Sequence, residues 1–385
     1  MRSREPWLAA LAGVALFLLC CSLTRGGLFD RAPYGDVHLY GTYSHRMTSG
    51  ELPYRDFFDE YPPLAQAAFV FPRLFGAAYA TAFKWTMAVC GALAVVLLVA
   101  TLAAAGATRS RVWLAAAVAG VAPLAVGPIF LNAYDLWPAL LVAGALLALV
   151  VRRDSLAFAL LGAAAAAKIY AVAALPVAAV AVWRDAGHEA VRRAVAWCAA
   201  VVVALHLPFL VLGPGGLRFS YWVQLKRGLQ VESLGASLLL AAQRAGWYTA
   251  TLHDQAPGSK NVLGTAAGAI ATLTSIVQVA AVLLVAWLFL RRGGPLLVAF
   301  PAAVVAFVAF GKVFSPQFVD WLAPLVPAAG AAASAIVLGV LLLTRALFDH
   351  YLGVYAGGEA VWILVARNLL VLVLLAVLVR RIRAA

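Results

Sequence analysis

Charged side chains are scarce in this sequence: Asp, Glu, Lys and Arg make up 12% of its 385 residues, whereas 65% are apolar. A soluble domain usually carries about 25% charged and about 45–50% apolar residues. So few charges cannot cover a surface that faces water, and the mean hydropathy of +0.94 agrees. The composition therefore excludes a soluble globular protein and makes the lipid bilayer most of the solvent.

Several signatures of known chemistry are also missing. The sequence has no P-loop, no dinucleotide-binding glycine pattern, no Gly-x-Ser-x-Gly elbow and no HExxH pair. An ATP-driven pump is therefore not supported. The four cysteines lie in apolar stretches without the spacing of metal ligands, so we interpret them as small buried hydrophobic residues: Cys20, Cys21, Cys90 and Cys198.

The charge that is present is mostly positive, with 29 basic and 16 acidic residues and a net charge of +13. The basic residues cluster at the ends of apolar runs, as in Arg109/Arg111, Arg152/Arg153, Arg291/Arg292 and Arg380–Arg383. This is the positive-inside pattern, which orients membrane helices and binds anionic lipid headgroups. It predicts membrane lipids as partners and argues against nucleic-acid binding.

The apolar runs predict an all-α polytopic bundle, because backbone groups in lipid must be satisfied within each span. The long uncharged run Val262–Leu290 excludes a β-barrel of short alternating strands. We predict about 11–13 helical segments in one integral membrane domain over residues 1–385, with short interfacial helices in the external loops. The first apolar run, Pro6–Leu23, is expected to be a retained span, with both termini cytoplasmic.

This topology places the polar segments on one side of the membrane. The two long ones, residues 24–63 and 213–261, become external loops, and Lys168 becomes the tip of a hairpin of two short helices within Ser155–Trp183. Five polar patches share the outer face: Asp36–Tyr61, Asn132–Asp135, Lys168–Tyr170, Arg218–Lys260 and Lys312–Gln317. Acidic and basic residues at one membrane face can assemble a single site.

Each charged residue also has a simpler structural interpretation. Asp36 could be a helix N-cap, since Asp is favoured there. Lys168 could extend its aliphatic stem to place its charge at the interface, although a charge within a membrane segment is by default a functional candidate. The remaining charges could be solvated loop or span-end residues: Asp59, Glu60, Asp135, Arg227 and Lys312.

The polar patches carry an ordered set of short motifs. In chain order they are Asp36-x3-Tyr40, Gly50-x2-Pro53-Tyr54, Glu60-Tyr61-Pro62-Pro63, Asn132-x2-Asp135-Leu136, Ala167-Lys168-Ile169-Tyr170, Arg227–Ser233 and Lys312-x2-Ser315-Pro316-Gln317. The set covers most of the chain and resembles glycosyltransferase family 87. That family belongs to the GT-C superfamily of polyprenyl-phosphate-sugar-dependent transferases and includes actinobacterial mannosyltransferases.

The resemblance implies transfer of a sugar, with mannose expected, from a polyprenyl-phosphate donor to a lipid or glycan acceptor. The reaction would invert the configuration at the anomeric carbon of the sugar, and it would take place at the outer face of the cell membrane. It implies Asp36 as the catalytic base. Negative charge that grows on the departing donor phosphate requires cations, and the candidates for binding it are Lys168, Arg227 and Lys312. The expected substrate-binding residues are Tyr40, Asp59, Glu60, Tyr61, Asp135, Tyr170, Glu232 and Gln317. No cofactor is required by the pattern, but Asp36, Asp59 and Glu60 could hold a divalent cation.

Two other classes of protein stay open. A secondary transporter of a small polar or anionic solute would favour broken helices, midplane charges and inverted repeats. Here most carboxylates lie in external loops and no repeat is evident, which favours the transferase. A non-catalytic lipid-handling or scaffold protein would share the architecture, but Asp36 would be dispensable.

Overall fold

The computed structural model describes residues 4–32, 35–255, 259–350, 353–354 and 358–384. Seven helical stretches in these ranges are long and apolar enough to cross a membrane. They contain α1 (Glu5–Leu23), α4 (Tyr79–Ala104), α5 (Arg109–Val126), α9 (Leu175–Leu212), α12 (Thr265–Arg292), α14 (Ala331–Asp349) and α15 (Val361–Arg383). The predicted all-α polytopic fold is confirmed.

Shorter elements complete the bundle and its polar segments. The short apolar helices are α7 (Leu136–Val150), α8 (Asp154–Ala167) and α13 (Leu296–Ala309). The other helices are α2 (Val37–Thr48), α3 (Ala65–Val70), α6 (Ile129–Asn132), α10 (Pro214–Lys226) and α11 (Leu234–Arg244). Four 3₁₀ helices cover Phe71–Phe75, Ile169–Ala174, Pro316–Trp321 and Val326–Ala329.

The centre of the bundle is formed by α13 and the irregular segment that follows it. Helix α13 is buried almost all round, which is typical of a helix enclosed by other helices. Every residue from Val319 to Gly330 is also buried. Prolines at positions 316, 324 and 327 keep this segment from continuing as an α-helix. A non-helical chain is tolerated at membrane depth when it is enclosed by protein, as here.

The predicted hairpin around Lys168 is observed, with one difference in its second arm. Helix α8 ends at Ala167, Lys168 is extended (φ −159°, ψ 127°), and the chain returns through a 3₁₀ helix into α9. Helix α9 then runs on past Trp183 and is broken at Gly187, whose φ of 77° few residues other than glycine adopt. That glycine separates the hairpin arm from the following span.

The first polar segment is held against the bundle by two basic side chains. Lys84 of α4 is fully buried and donates from Nζ to the carbonyl oxygens of Asp30 (3.0 Å) and Ala32 (3.2 Å). Arg73 donates to Ser44 Oγ and to the Gly41 carbonyl oxygen, both at 3.0 Å. Lys84 thus fixes the chain before α2 and Arg73 fixes the helix itself, and Asp36 lies between these two attachments.

The second polar segment contains a small antiparallel sheet that the sequence did not predict. Strands β1 (Leu229–Gln230), β2 (Thr251–Gln255) and β3 (Ser259–Leu263) pair in the order β1-β3-β2. In the register, Val262 pairs with both Leu229 and Leu252. The sheet packs with α11 and the start of α15 around a second apolar cluster, which supports the loop that carries Arg227.

Candidate active site

Asp36 lies directly before α2 and is half-buried. Its side chain makes no capping hydrogen bond to α2, so the N-cap interpretation is not realised. Instead Oδ2 accepts hydrogen bonds from Tyr40 Oη (3.3 Å) and Gln317 Nε2 (3.5 Å). Both contacts are long, and the carboxylate keeps acceptor capacity for a further partner.

Aromatic rings form the floor under this carboxylate. Tyr40 is fully buried, stacks on Phe69 at a centroid distance of 4.5 Å and meets Tyr134 edge-on at 5.6 Å. Tyr61 lies edge-on to Tyr134 at 5.1 Å and to Tyr40 at 5.7 Å. Such clusters bury large rigid surfaces with defined geometry, so α2 and the Tyr61 loop are held in fixed relation.

A buried ion pair lies beside this floor. Lys168 Nζ donates to Asp135 Oδ1 at 2.6 Å, and Trp321 Nε1 donates to the same oxygen at 2.7 Å. The Lys168 ammonium also lies 4.5 Å from the centre of the Tyr134 ring. Tyr170 stacks on Trp321 at a centroid distance of 3.8 Å. Lys168 therefore pairs within the protein instead of extending to the interface, and Asp135 does more than end a span.

The second polar segment brings a cation to the first. Gln224 Nε2 donates to the backbone and side-chain oxygens of Glu60, both at 3.3 Å. Arg227 donates to Ser259 Oγ at 2.9 Å and to Gln224 Oε1 at 3.4 Å. Lys312 Nζ donates to the Leu225 carbonyl oxygen at 2.7 Å. The two loops predicted to share a face therefore meet in the folded chain.

Gln230 of β1 joins this loop to the segment after α13. Its backbone N–H donates to the Lys312 carbonyl oxygen, and its Oε1 accepts from the Phe314 N–H, both at 2.9 Å. Its Nε2 donates to Ser315 Oγ, also at 2.9 Å. A single buried amide thus fixes the turn that presents Lys312 on one side and Gln317 on the other.

Charged residues of the two loops act on one another's pKa. Burial raises the pKa of Asp36 above its ordinary value, and the positive charges of Lys168 and Arg227 oppose that rise. Burial likewise raises the pKa of Glu60, against the effect of Arg227. The pKa of Lys312 is lowered, first by burial and then by repulsion from Arg227 and Lys226.

The predicted site residues fall into two groups. Asp36, Glu60, Tyr61, Lys168, Arg227, Lys312 and Gln317 are partly exposed around the Asp36 carboxylate and the two loops. Tyr40, Asp59, Asp135, Tyr170 and Glu232 are fully buried. Asp59 Oδ1 accepts from the Tyr61 N–H at 2.9 Å, and the Glu232 carbonyl oxygen accepts from Asn368 Nδ2 at 3.2 Å. Direct contact with a substrate stays a prediction for every residue of both groups.

Some residues at the site were not predicted from the sequence. Trp321, Tyr134, Gln224 and Gln230 provide the contacts described above. Gln230 falls within the Arg227–Ser233 motif, but its contacts do not follow from that position. Asp320 is different: it is fully buried, and neither carboxylate oxygen has a hydrogen-bond partner among the described residues. A lone acid in an apolar run is a functional candidate by default, so that signal was available in the sequence.

The carboxylates do not gather as a metal site. Within the ranges that the structure describes, no group of three or more His, Cys, Asp or Glu side chains is arranged to hold a metal ion. Asp36, Asp59 and Glu60 do not form such a group. Asp59 is turned into the protein with its Oδ1 on the Tyr61 N–H.

No family model matches the sequence, and no curated protein matches it. The fold is similar to that of ArnT from Cupriavidus metallidurans, solved in the apo state by crystallography, with a TM-score of 0.50 and 14% sequence identity. The similarity covers 98% of this chain and 76% of ArnT. At this identity the similarity concerns the fold alone, an all-α bundle with several helices long and apolar enough to cross a membrane. Membership of family 87 and the identity of the sugar stay predictions.

Proposed function

We propose that this chain is an integral membrane glycosyltransferase. It would move a sugar, with mannose expected, from a polyprenyl-phosphate donor to a hydroxyl of a lipid or glycan acceptor at the outer membrane face. One observation carries the proposal: the half-buried Asp36 carboxylate makes no helix cap and lies within electrostatic reach of Lys168 and Arg227. The GT-C fold supports it.

Asp36 would act as the general base. The acceptor oxygen attacks the anomeric carbon as its proton passes to the Asp36 carboxylate. The bond between that carbon and the phosphate oxygen breaks, and polyprenyl phosphate leaves with the electron pair. A single displacement inverts the anomeric carbon. Burial raises the pKa of Asp36 and so makes the ionised carboxylate a stronger base.

The leaving phosphate gains negative charge, which the cations would stabilise. Arg227 has N–H donors left after its bonds to Ser259 and Gln224, which are neutral oxygens. Lys312 likewise has donors left after its bond to the Leu225 carbonyl oxygen. Lys168 would add its charge near Asp36, although Asp135 shares its ammonium.

The test follows labelled sugar from polyprenyl-phosphate-mannose in membranes that contain the overproduced chain and their endogenous lipids and glycans. Asp36→Asn should reduce transfer by about 10²–10⁴-fold, as expected when a general base is removed. Glu51→Gln is the matched control, because Glu51 is a half-exposed carboxylate of the same polar segment that pairs with Arg46. It should transfer sugar at the wild-type rate.

Two results would contradict the proposal at different levels. Full activity of Asp36→Asn would show that the base is assigned wrongly while the transferase stands. If polyprenyl-phosphate-linked mannose, glucose and arabinose are all left unconsumed by every preparation, the transferase function itself fails.

A further inference from the structure

A second polar site lies at the end of the bundle away from Asp36. It is a cavity of about 510 Å³ between the start of α5, the start of α14 and the end of α15. Helix α5 leads from this cavity towards α6 and Asp135, over roughly 27 Å for its 18 residues. The positive-inside pattern predicts this end to be cytoplasmic.

Two arginines line the cavity, and neither forms an ion pair with an acidic side chain among the described residues. Arg111 donates to the carbonyl oxygen of Ala328 (3.1 Å from Nε), and Arg381 donates to that of Ala329. None of the described residues that line the cavity is acidic. Each guanidinium keeps N–H donors beyond those bonds. Two cations that lie side by side with neutral partners repel each other. An anion bound between them would attract both and so offset that repulsion.

Other donors at the cavity favour the same kind of ligand. Helices α5 and α14 both begin at its wall, and neither has a side-chain N-cap. Their free N–H groups and aligned dipoles add positive potential at the position between the arginines. The hydroxyls of Thr108 and Ser110 lie 3.3 Å apart on the same rim. Arginine, hydroxyl and helix N–H groups together are the donors that bind phosphate.

We propose that this cavity binds a phosphate group, carried by the headgroup of an anionic membrane lipid or free in solution. Leu114 lies one turn along α5 from Arg111, lines the cavity and is exposed, so an apolar surface adjoins the phosphate donors. That neighbour suits an acyl chain and favours the lipid source. The ligand would bridge three helices, and the proposal does not depend on the sugar-transfer reaction.

The first test measures thermal unfolding of the purified full chain in detergent. Phosphatidylglycerol, phosphatidylcholine and inorganic phosphate are added separately. If Tm rises with phosphatidylglycerol and not with phosphatidylcholine, the ligand is an anionic lipid. If Tm rises with inorganic phosphate, the cavity recognises the phosphate group without the lipid. If neither anion raises Tm above the phosphatidylcholine value, the proposal is overturned.

The first pair of variants keeps the arginines in place, because Arg111 and Arg381 also donate to backbone carbonyl oxygens. Ala332→Glu introduces a carboxylate into the cavity wall and should abolish the anion-dependent rise in Tm, whereas Ala332→Gln, with the same shape, should keep it. Glu in the first turn of α14 complements the helix dipole, so lost folding would not explain the result. An unchanged response of Ala332→Glu would also overturn the proposal.

A second pair of variants tests the arginines directly by native mass spectrometry with phosphatidylglycerol. Arg111→Gln combined with Arg381→Gln should weaken lipid binding by about tenfold or more, because charge-assisted hydrogen bonds are lost. Arg109→Gln combined with Arg380→Gln removes the same charge from exposed positions on the same two helices. Equal losses in the two pairs would contradict a site between Arg111 and Arg381.

Discussion

The buried pair of Lys168 and Asp135 allows an asymmetric prediction about stability. Asp135 has no solvent exposure, whereas 14% of the Lys168 side chain is exposed. Lys168→Met would leave a carboxylate enclosed by protein, with Trp321 as the one donor to its Oδ1 among the described residues. Breaking a buried pair by removing one partner costs about 3–5 kcal/mol, and we expect Lys168→Met to fall in that range.

Asp135→Asn should cost less, about 1–2 kcal/mol. The Asn Oδ1 can still accept from Trp321 Nε1, and the Lys168 ammonium keeps its exposure, its contact with the Tyr134 ring and the nearby Asp36 carboxylate. The double variant contains neither charge and should cost no more than about 2 kcal/mol. The two single changes would then be coupled by at least about 2 kcal/mol.

Equilibrium unfolding in mixed detergent micelles, followed by far-UV circular dichroism, gives the four free energies of the cycle. Arg192 and Glu189 serve as a control pair, since both are about four-fifths exposed and should show no measurable coupling. The reasoning is refuted if Lys168→Met costs no more than Asp135→Asn, or if the effects of the two changes simply add.

Further predictions concern Asp59, Arg227 and Asp36. Burial raises the pKa of Asp59 to about 7, so wild-type stability should fall as the pH rises from about 4 through about 7. Asp59→Asn should therefore be more stable by at most about 4 kcal/mol near pH 8 and equal to wild type near pH 4, in thermal unfolding against pH. Arg227→Gln should slow sugar transfer about 10–100-fold by removing a donor from the leaving phosphate. Lys226 is the control, because its ammonium lies 4.7 Å from the centre of the Trp222 ring. Lys226→Gln should transfer sugar within about twofold of the wild-type rate in the same assay. Because the pKa of Asp36 is raised, the rate of transfer should already fall at pH values above the ordinary pKa of Asp as the solution is acidified. A pH–rate profile without this acidic decrease would argue against Asp36 as the base.

The sequence predicts the bundle well because its signal is local. The span predicted at Pro6–Leu23 is observed as Glu5–Leu23, and the uncharged run Val262–Leu290 lies largely in the helix Thr265–Arg292. Hydropathy and the charge at helix ends are properties of about 20 consecutive residues, so they can be read from the sequence without knowledge of the fold. The hairpin with its tip at Lys168 follows from the same length rule, because the apolar run Ser155–Trp183 is too long for one span.

The details of the site depend on contacts between distant residues and could not be predicted in this way. The role of Asp135 is set by Lys168 and Trp321, and Trp321 lies 186 positions away along the chain. The small sheet forms within a polar segment whose short strands lack a clear alternating pattern. The arginine cavity likewise joins Arg111 to Arg381 through the backbone at Ala328 and Ala329. Sequence spacing carries no information about such pairs.

The balance of charge around Asp36 links the base to the cations in the proposed reaction. Asp36, Glu60 and Asp135 are matched in number by Lys168, Arg227 and Lys312, and Lys226 is a further cation beside Lys312. During transfer the phosphate changes from a diester with one negative charge to a monoester with about two. Asp36 loses its own negative charge as it takes the acceptor proton. The total charge therefore stays constant, and the poorly solvated site does not have to stabilise an additional charge. A carboxylate whose pKa is raised by burial is suited to this exchange, because burial penalises its charged form while Arg227 and Lys312 favour the charge that appears on the phosphate.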